Sequence, residues 1–182
     1  MPVNIKYMWQ FEEVQTLLAQ SSNIVITTHR NPDGDAMGSS LSLMHYLRKK
    51  GYNVKVVAPT DYGDFLKWMP GNEEVINYEK NKDCAVKLFD KAEVIFCLDF
   101  NDPNRTEGLK DILKNASGKK ILVDHHLEPN SFEDYGFWDS SAAATAELSY
   151  DFISDMGALE LIDQTIAQCI YTGIVTDSGS FR

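Results

Sequence analysis

The apolar positions of this chain follow two spacings in turn. Short β-branched runs occupy residues 23–28, 53–58, 94–99 and 120–124, each ending at a polar cluster. Strands buried on both faces require such consecutive apolar positions. Between the runs, helical spacing covers residues 9–20, 36–50, roughly 61–69, 83–89 and about 107–115. Gly51 and Gly118 stand where a helix end favours a left-handed residue. A fifth strand is predicted near residues 135–138, followed by helices at about 141–156 and 158–176. Strands alternating with helices predict an α/β fold, a doubly wound parallel sheet with right-handed crossovers.

That architecture gives the polar clusters a common location, because ligands of open α/β sheets collect outside the carboxyl ends of the strands. Three of the strongest strands end that way: Thr28 runs into His29-Arg30-Asn31-Pro32-Asp33-Gly34-Asp35, Leu98 into Asp99, and Val123 into Asp124-His125-His126. Parallel strands would bring all three clusters to one rim. In the first, Pro32 and Gly34 bend the backbone so that Asp33 and Asp35 can face neighbouring cations, and His29 adds an imidazole. Ala36-Met37-Gly38-Ser39-Ser40 then opens a helix whose amino end suits an anion. Taken alone, Asn-Pro-Asp-Gly-Asp also fits a plain turn before a capped helix.

Asp99 closes an otherwise uncharged strand, where a buried carboxylate needs a partner. By itself it also fits a cap for the turn at residues 101–105. Of the four histidines, three lie in the clusters, and His45, inside the following helix, reads as structural. Asp177 ends the apolar helix through residues 167–175, where negative charge opposes the macrodipole unless a cation sits nearby. Carboxylates gathered at one rim resist ionisation together. Two divalent cations would remove that conflict.

Composition narrows the substrate. A length of 182 residues predicts one domain, and 43% apolar with 24% charged residues is ordinary for a globular chain. No run of about 18 apolar residues predicts a membrane span, and the stretch from Met1 to Gln10 lacks the build of a signal peptide. Cys84, Cys97 and Cys169 show no close pair and no metal spacing, so they are expected to be reduced core thiols of a cytoplasmic protein. The formal net charge of −10 leaves no surplus of Lys and Arg to neutralise a long nucleic acid. Bound cations would still attract a short or small phosphate locally.

The residues Thr28 to Ser39, then Leu98-Asp99, then Val123-Asp124-His125-His126, then Thr176-Asp177-Ser178-Gly179 resemble the four motifs of the DHH phosphoesterase superfamily, in order and across nearly the whole chain. The Asn-Pro-Asp-Gly-Asp-Ala wording and the Asp-His-His start resemble most the small oligoribonucleases that also dephosphorylate phosphoadenosine phosphate. The resemblance implies that His29, Asp33 and a bridging Asp99 hold one metal ion, while Asp35, Asp99, His125 and Asp177 hold another. It implies that His126 faces the substrate phosphate and that Asp124 orients its histidine neighbours from behind. It implies two divalent ions, usually manganese, although the mixed nitrogen and oxygen donors also suit zinc, cobalt or iron.

Enzymes of that type carry a carboxyl-terminal substrate-binding domain with a glycine- and histidine-rich motif, and none of it appears in residues 1–182. The expectation is therefore a complete metal site with the substrate clamp absent, and little activity from this piece alone. The expected partner is a short RNA or a nucleotide phosphate, with a homodimer as one assembly open to it. Arg105, six residues after Asp99, is a candidate phosphate clamp. Asn31 and Ser39 are candidate substrate contacts, and Ser40 and Thr145 could donate hydrogen bonds there. The expected reaction is metal-assisted hydrolysis of a phosphate ester. Other readings are a cyclic or linear dinucleotide phosphodiesterase, a pyrophosphatase, and a nucleotide-binding module without catalysis.

Overall fold

Strands β1 (Asn23–Thr27), β2 (Asn53–Ala58), β3 (Ile76–Asn77), β4 (Val94–Leu98), β5 (Lys119–Asp124) and β6 (Tyr135–Trp138) form one sheet in the order β3-β2-β1-β4-β5-β6. Every neighbouring pair is parallel, with Ile26 opposite Phe96 and Leu98 opposite Val123. The computed structural model describes residues 10–180. Outside them lie the start of the predicted first helix and almost all of the amino end read for a signal peptide. The strand order makes the sheet doubly wound, with its switch point between β1 and β4.

Both faces of the sheet are covered, which is why the strands read as unbroken apolar runs. Ile24, Ile26, Val54, Val56, Phe96 and Val123 pack under α2 (Gly34–Lys49), α5 (Thr145–Asp155) and α6 (Gln164–Asp177). Val25, Val57, Ile95, Cys97 and Leu122 face α3 (Lys82–Lys91) and α4 (Lys110–Asn115). The remaining helix, α1 (Phe11–Ala19), adds Val14 and Leu18 to the first of these cores. Among the described residues no helix is long and apolar enough to cross a membrane.

Helix α2 lies between the sheet and α6 and is buried from Gly34 through Met44. Small residues let α6 approach closely. A Cβ added at Gly38 would lie 2.6 Å from the carbonyl oxygen of Cys169 and 2.9 Å from the amide nitrogen of Gly173. The seam carries the end of α6, and with it Asp177, to the start of α2.

Several elements differ from the sequence prediction for local reasons. Residues 61–69 form only a 3-10 turn at Asp64–Leu66, with i to i+3 bonds from Leu66 N to Gly63 O (3.0 Å) and Lys67 N to Asp64 O (3.1 Å). Gly71, at φ +84°, stops any continuation just beyond it. His45 accounts for itself structurally, with Nε2 2.9 Å from the Pro70 carbonyl. A 3-10 segment from Pro103 to Leu109, kinked at Glu107 (φ +50°), precedes the short α4. The helix predicted from 141 starts at Thr145, after Ser141 N has bonded Asp139 Oδ1 (2.8 Å) in a turn. A 3-10 turn at Leu159–Leu161 precedes α6, whose start Asp163 caps through Ile166 N (3.0 Å). Strand β3, with two residues, was too short to leave a pattern. Cys97 and Cys169 are buried free thiols, but Cys84 is exposed in the first turn of α3, so the core reading fails for it.

Prediction: Gly38→Ala destabilises the protein by about 1–3 kcal/mol, because the methyl meets backbone that cannot rotate away. Chemical denaturation checks this. An unchanged or raised midpoint, as helix propensity alone would give, contradicts the close seam.

Candidate metal centre

The carboxyl ends of β1, β4 and β5 converge at the switch point, and the start of α2 and the end of α6 close over them. His29 Nε2 lies 3.3 Å from Asp99 Oδ2 and 3.9 Å from Asp33 Oδ2. His125 Nε2 lies 3.7 Å from Asp99 Oδ1, 3.8 Å from Asp35 Oδ2 and 3.5 Å from Asp177 Oδ2. The two oxygens of Asp99 thus face different histidines. Among the described residues, His29–Asp33–Asp99, Asp35–His125–Asp177 and Asp99–His125–His126 are groups whose donor atoms lie within 4.8 Å of one another. Donors held about 2.0–2.2 Å from one ion lie about 3–3.5 Å apart, close to the spacing of the facing pairs.

Every donor but Asp177 is aimed by a second bond. His29 Nδ1 donates to the Arg30 carbonyl (2.7 Å) and His125 Nδ1 to the Ala142 carbonyl (3.2 Å). A carbonyl only accepts, so Nδ1 carries the proton and a neutral ring presents its lone pair at Nε2. Those lone pairs face carboxylate oxygens. Such an arrangement requires a proton, on the ring or on the carboxyl, or a cation between them, and a cation fits the donor set. Asp33 caps α2, its Oδ1 accepting from Asp35 N and Ala36 N at 3.0 Å each, which leaves Oδ2 for the cluster. Asp99 adopts a left-handed backbone (φ +64°), which aspartate tolerates better than most residues. Its amide still bonds Val123 O (3.1 Å), extending the β4–β5 pairing by one residue as the chain turns.

Asp35 is held most tightly. It is buried, and accepts from Thr145 N (Oδ2, 2.6 Å) and Ala146 N (Oδ1, 2.8 Å) at the start of α5. Ala144, the residue at that helix's N-cap, makes no side-chain cap, so a carboxylate 110 residues earlier fills the place. The Thr145 hydroxyl donates to Asp99 Oδ1 (2.9 Å), tying the two acids to one helix end. Burial, with Asp99 nearby, pushes the Asp35 carboxyl up to about 9. Burial likewise raises Asp177 above the usual carboxylate range, with Asp99 adding to it and His125 opposing it. Burial works to lower His29, but the Asp99 carboxylate raises it above an ordinary histidine.

The sequence profile described as "DHH family, N-terminal domain" matches residues 23–174. The chain belongs to the DHH family. It is 36% identical over 168 residues to the bifunctional oligoribonuclease and PAP phosphatase NrnA of Thermus thermophilus, covering 92% of this chain and 47% of that protein. It is 27% identical over 178 residues to the cyclic-di-AMP phosphodiesterase PdeA of Listeria monocytogenes, covering 93% of this chain and 27% of that one. A crystal structure of an exopolyphosphatase-related protein from Bacteroides fragilis superposes with a TM-score of 0.93 at 40% identity, over 94% of this chain and 50% of that one. This DHH domain therefore spans about half or less of the relatives it matches.

Within the DHH fold, the side chains of His29, Asp33, Asp35, Asp99, His125 and Asp177 meet at one place. His126 Nδ1 donates to Asp124 Oδ1 (2.8 Å), which raises its pKa, and lies 3.6 Å from Asp99 Oδ1. Asp124 orients only that histidine, because His125 is held by Ala142 instead. The Trp138 indole N–H fixes the His126 carbonyl. Arg105 is half-buried beside the cluster, near enough for its charge to oppose protonation of His126, and its guanidinium has no carboxylate partner among the described residues.

Three expected substrate contacts are corrected. Ser39 is fully buried, its hydroxyl bonded to Asp35 O (2.7 Å) and Ala36 O (3.2 Å) within α2, and Ser40 is equally buried. Thr145 gives its hydroxyl to Asp99, not outward. Asn31, at φ +50°, accepts the Thr60 hydroxyl at Oδ1 (3.3 Å), and its amide bonds Thr60 Oγ1 (2.7 Å), so it braces the loop as well as lining the site's edge. The backbone clamp of Thr145 and Ala146 on Asp35 has no residue signature in the sequence; an α5 start without its own capping side chain is its one sign.

Prediction: the gain in melting temperature from saturating manganese over chelated protein widens as pH rises toward about 9. Asp35 moves from 3.8 to about 9 on folding without metal, so the folded apo state holds a proton the unfolded chain has released. That stabilising proton is lost as pH climbs through the folded value, whereas a cation replaces it. Calorimetry with and without chelator measures the gap. A gap that stays constant or narrows contradicts the reading.

Proposed function

We propose that this chain carries the catalytic, metal-binding part of a phosphoesterase acting on short oligoribonucleotides and on 3′-phosphoadenosine 5′-phosphate. The observation that carries the reading is the bidirectional Asp99, with one oxygen toward His29 and the other toward His125. Similarity to an oligoribonuclease and PAP phosphatase over 92% of the chain supports the substrate class. His29, Asp33 and Asp99 would hold one divalent ion, and Asp35, Asp99, His125 and Asp177 a second. The mixed imidazole and carboxylate donors suit manganese. When bound, the pair supplies Lewis-acid charge for the phosphoryl oxygens and lowers the pKa of water.

The protein's own groups do the rest. His126, favoured as imidazolium by the Asp124 carboxylate on its Nδ1 side, donates its Nε2–H to a phosphoryl oxygen and stabilises the charge that develops there. Arg105 clamps an unreacting phosphate oxygen. Buried Thr145 and the amides of α5 keep Asp35 and Asp99 from swinging outward. The rest of the grip on substrate comes from a carboxyl-terminal domain of the full protein. The match to a cyclic-di-AMP phosphodiesterase favours a linear or cyclic dinucleotide as the second reading, since the same metal centre would serve either.

Predictions: Asp99→Ala loses both ions by elemental analysis, whereas two manganese ions retained per chain would rule out the bridging role. His126→Gln keeps both and lowers kcat by about 10²–10³-fold; loss of metal would reassign it as a ligand. Incubation of the full protein and manganese with di- to pentaribonucleotides, phosphoadenosine phosphate, pyrophosphate and cyclic dinucleotides separates the substrates. Mononucleotide release from short RNA supports the first reading, and turnover of cyclic dinucleotides alone supports the second. Inertness toward all of them leaves a binding module.

A further inference from the structure

The 3-10 turn after β2 presents two large aromatic side chains without burying them. Phe65 is 71% and Trp68 59% exposed, while Leu66 and Met69 insert into the core. The turn is fastened on both sides: the Tyr62 hydroxyl donates to Asn72 Oδ1 (2.6 Å), and Lys67 Nζ donates to Asp64 Oδ1 (2.8 Å). Phe65 is therefore displayed by a built element. Trp68, just past the turn, is a second exposed aromatic nearby in sequence.

Phe65 and Tyr62 wall an open groove of about 630 Å³ that is also lined by Asn31, Pro32, Gly63 and Asp33. Asp33 faces His29 within the metal centre, so the groove leads directly away from that centre. An occupant must be planar enough to lie on Phe65 and covalently attached to a phosphate at the cluster. The charged groups of the turn that line the groove are paired, Lys67 with Asp64 and Asp61 with Lys80 (2.5 Å), which leaves them occupied instead of reading a base edge.

We propose that Phe65 is a stacking platform for the nucleobase next to the phosphate held at the metal centre, and that it accepts purines and pyrimidines without reading their edges. The proposal rests on the phosphoesterase reading, and deepens it by assigning a base subsite to this domain itself. Stacking a base on one aromatic ring is sequence-tolerant, because every base has a π-face.

The test uses the full-length protein with 5′-phosphorylated diadenosine, the same compound with an abasic ribose in place of one nucleoside, and 2-aminopurine ribonucleoside 5′-monophosphate as a fluorescent probe that is not turned over. Phe65→Ala is expected to raise KM for the diadenosine about tenfold with kcat unchanged. It should leave KM for the abasic analogue alone and abolish quenching of 2-aminopurine, and Phe65→Trp should restore both. Equal KM changes for the two substrates, or quenching that survives in Phe65→Ala, overturns the platform. So does a changed sedimentation coefficient for Phe65→Ala, which would assign the patch to protein contact. If the wild type hydrolyses neither compound, the phosphoesterase reading fails, while the quenching comparison still decides the subsite.

Discussion

Everything at this site follows from crowding acidic groups where water is scarce. Asp35 and Asp99 are buried, and Asp33 and Asp177 lean over them from the surface. Like charges in low dielectric either take up protons or recruit cations. The imidazoles cannot relieve the conflict while neutral, because their protonated nitrogens are committed to backbone carbonyls on the far side. The cluster is thus held in an arrangement that is unfavourable in isolation and favourable around positive charge.

Holding it so falls to the second layer of the structure. The amides at the start of α5 grip Asp35, the Thr145 hydroxyl grips Asp99, and the close seam of α2 with α6 fixes the distance from Asp35 to Asp177. None of these partners is acidic, so each stabilises the carboxylates without adding to the repulsion. A larger residue in the seam would act on the metal centre from a distance, through the spacing of the helices that carry it.

How far the amino-acid sequence foretold this depends on the kind of contact. The strands and their polar ends were legible because a strand buried on both faces leaves an unbroken apolar run, and a run that stops at His29, Asp99 or Asp124 locates its own end. The clustering of His29, Asp33, Asp35, Asp99 and His125 was legible for the same reason, once parallel strands put those ends together; Asp177, at the end of a helix, joined them mainly through the resemblance of its motif. The grip on Asp35 was not, since backbone amides carry no residue signature and the donor lies 110 positions away. Ser39 misled because a serine near a helix start looks like a cap or a substrate contact, and only the burial of the whole start of α2 shows it to be interior. The turn at Phe65 was misread as a helix because Leu66 and Met69 supply helical spacing over a segment that Gly63 and Gly71 keep short.

The donors of the metal centre are scattered from residue 29 to residue 177. No partly assembled chain can therefore present them together, and a parallel sheet of this kind completes its distant pairings late. A cation held by this cluster would recognise only the finished native state, so its free concentration would set the folded fraction by mass action. Scarcity of the cation would then shorten the life of the protein as well as silence its chemistry.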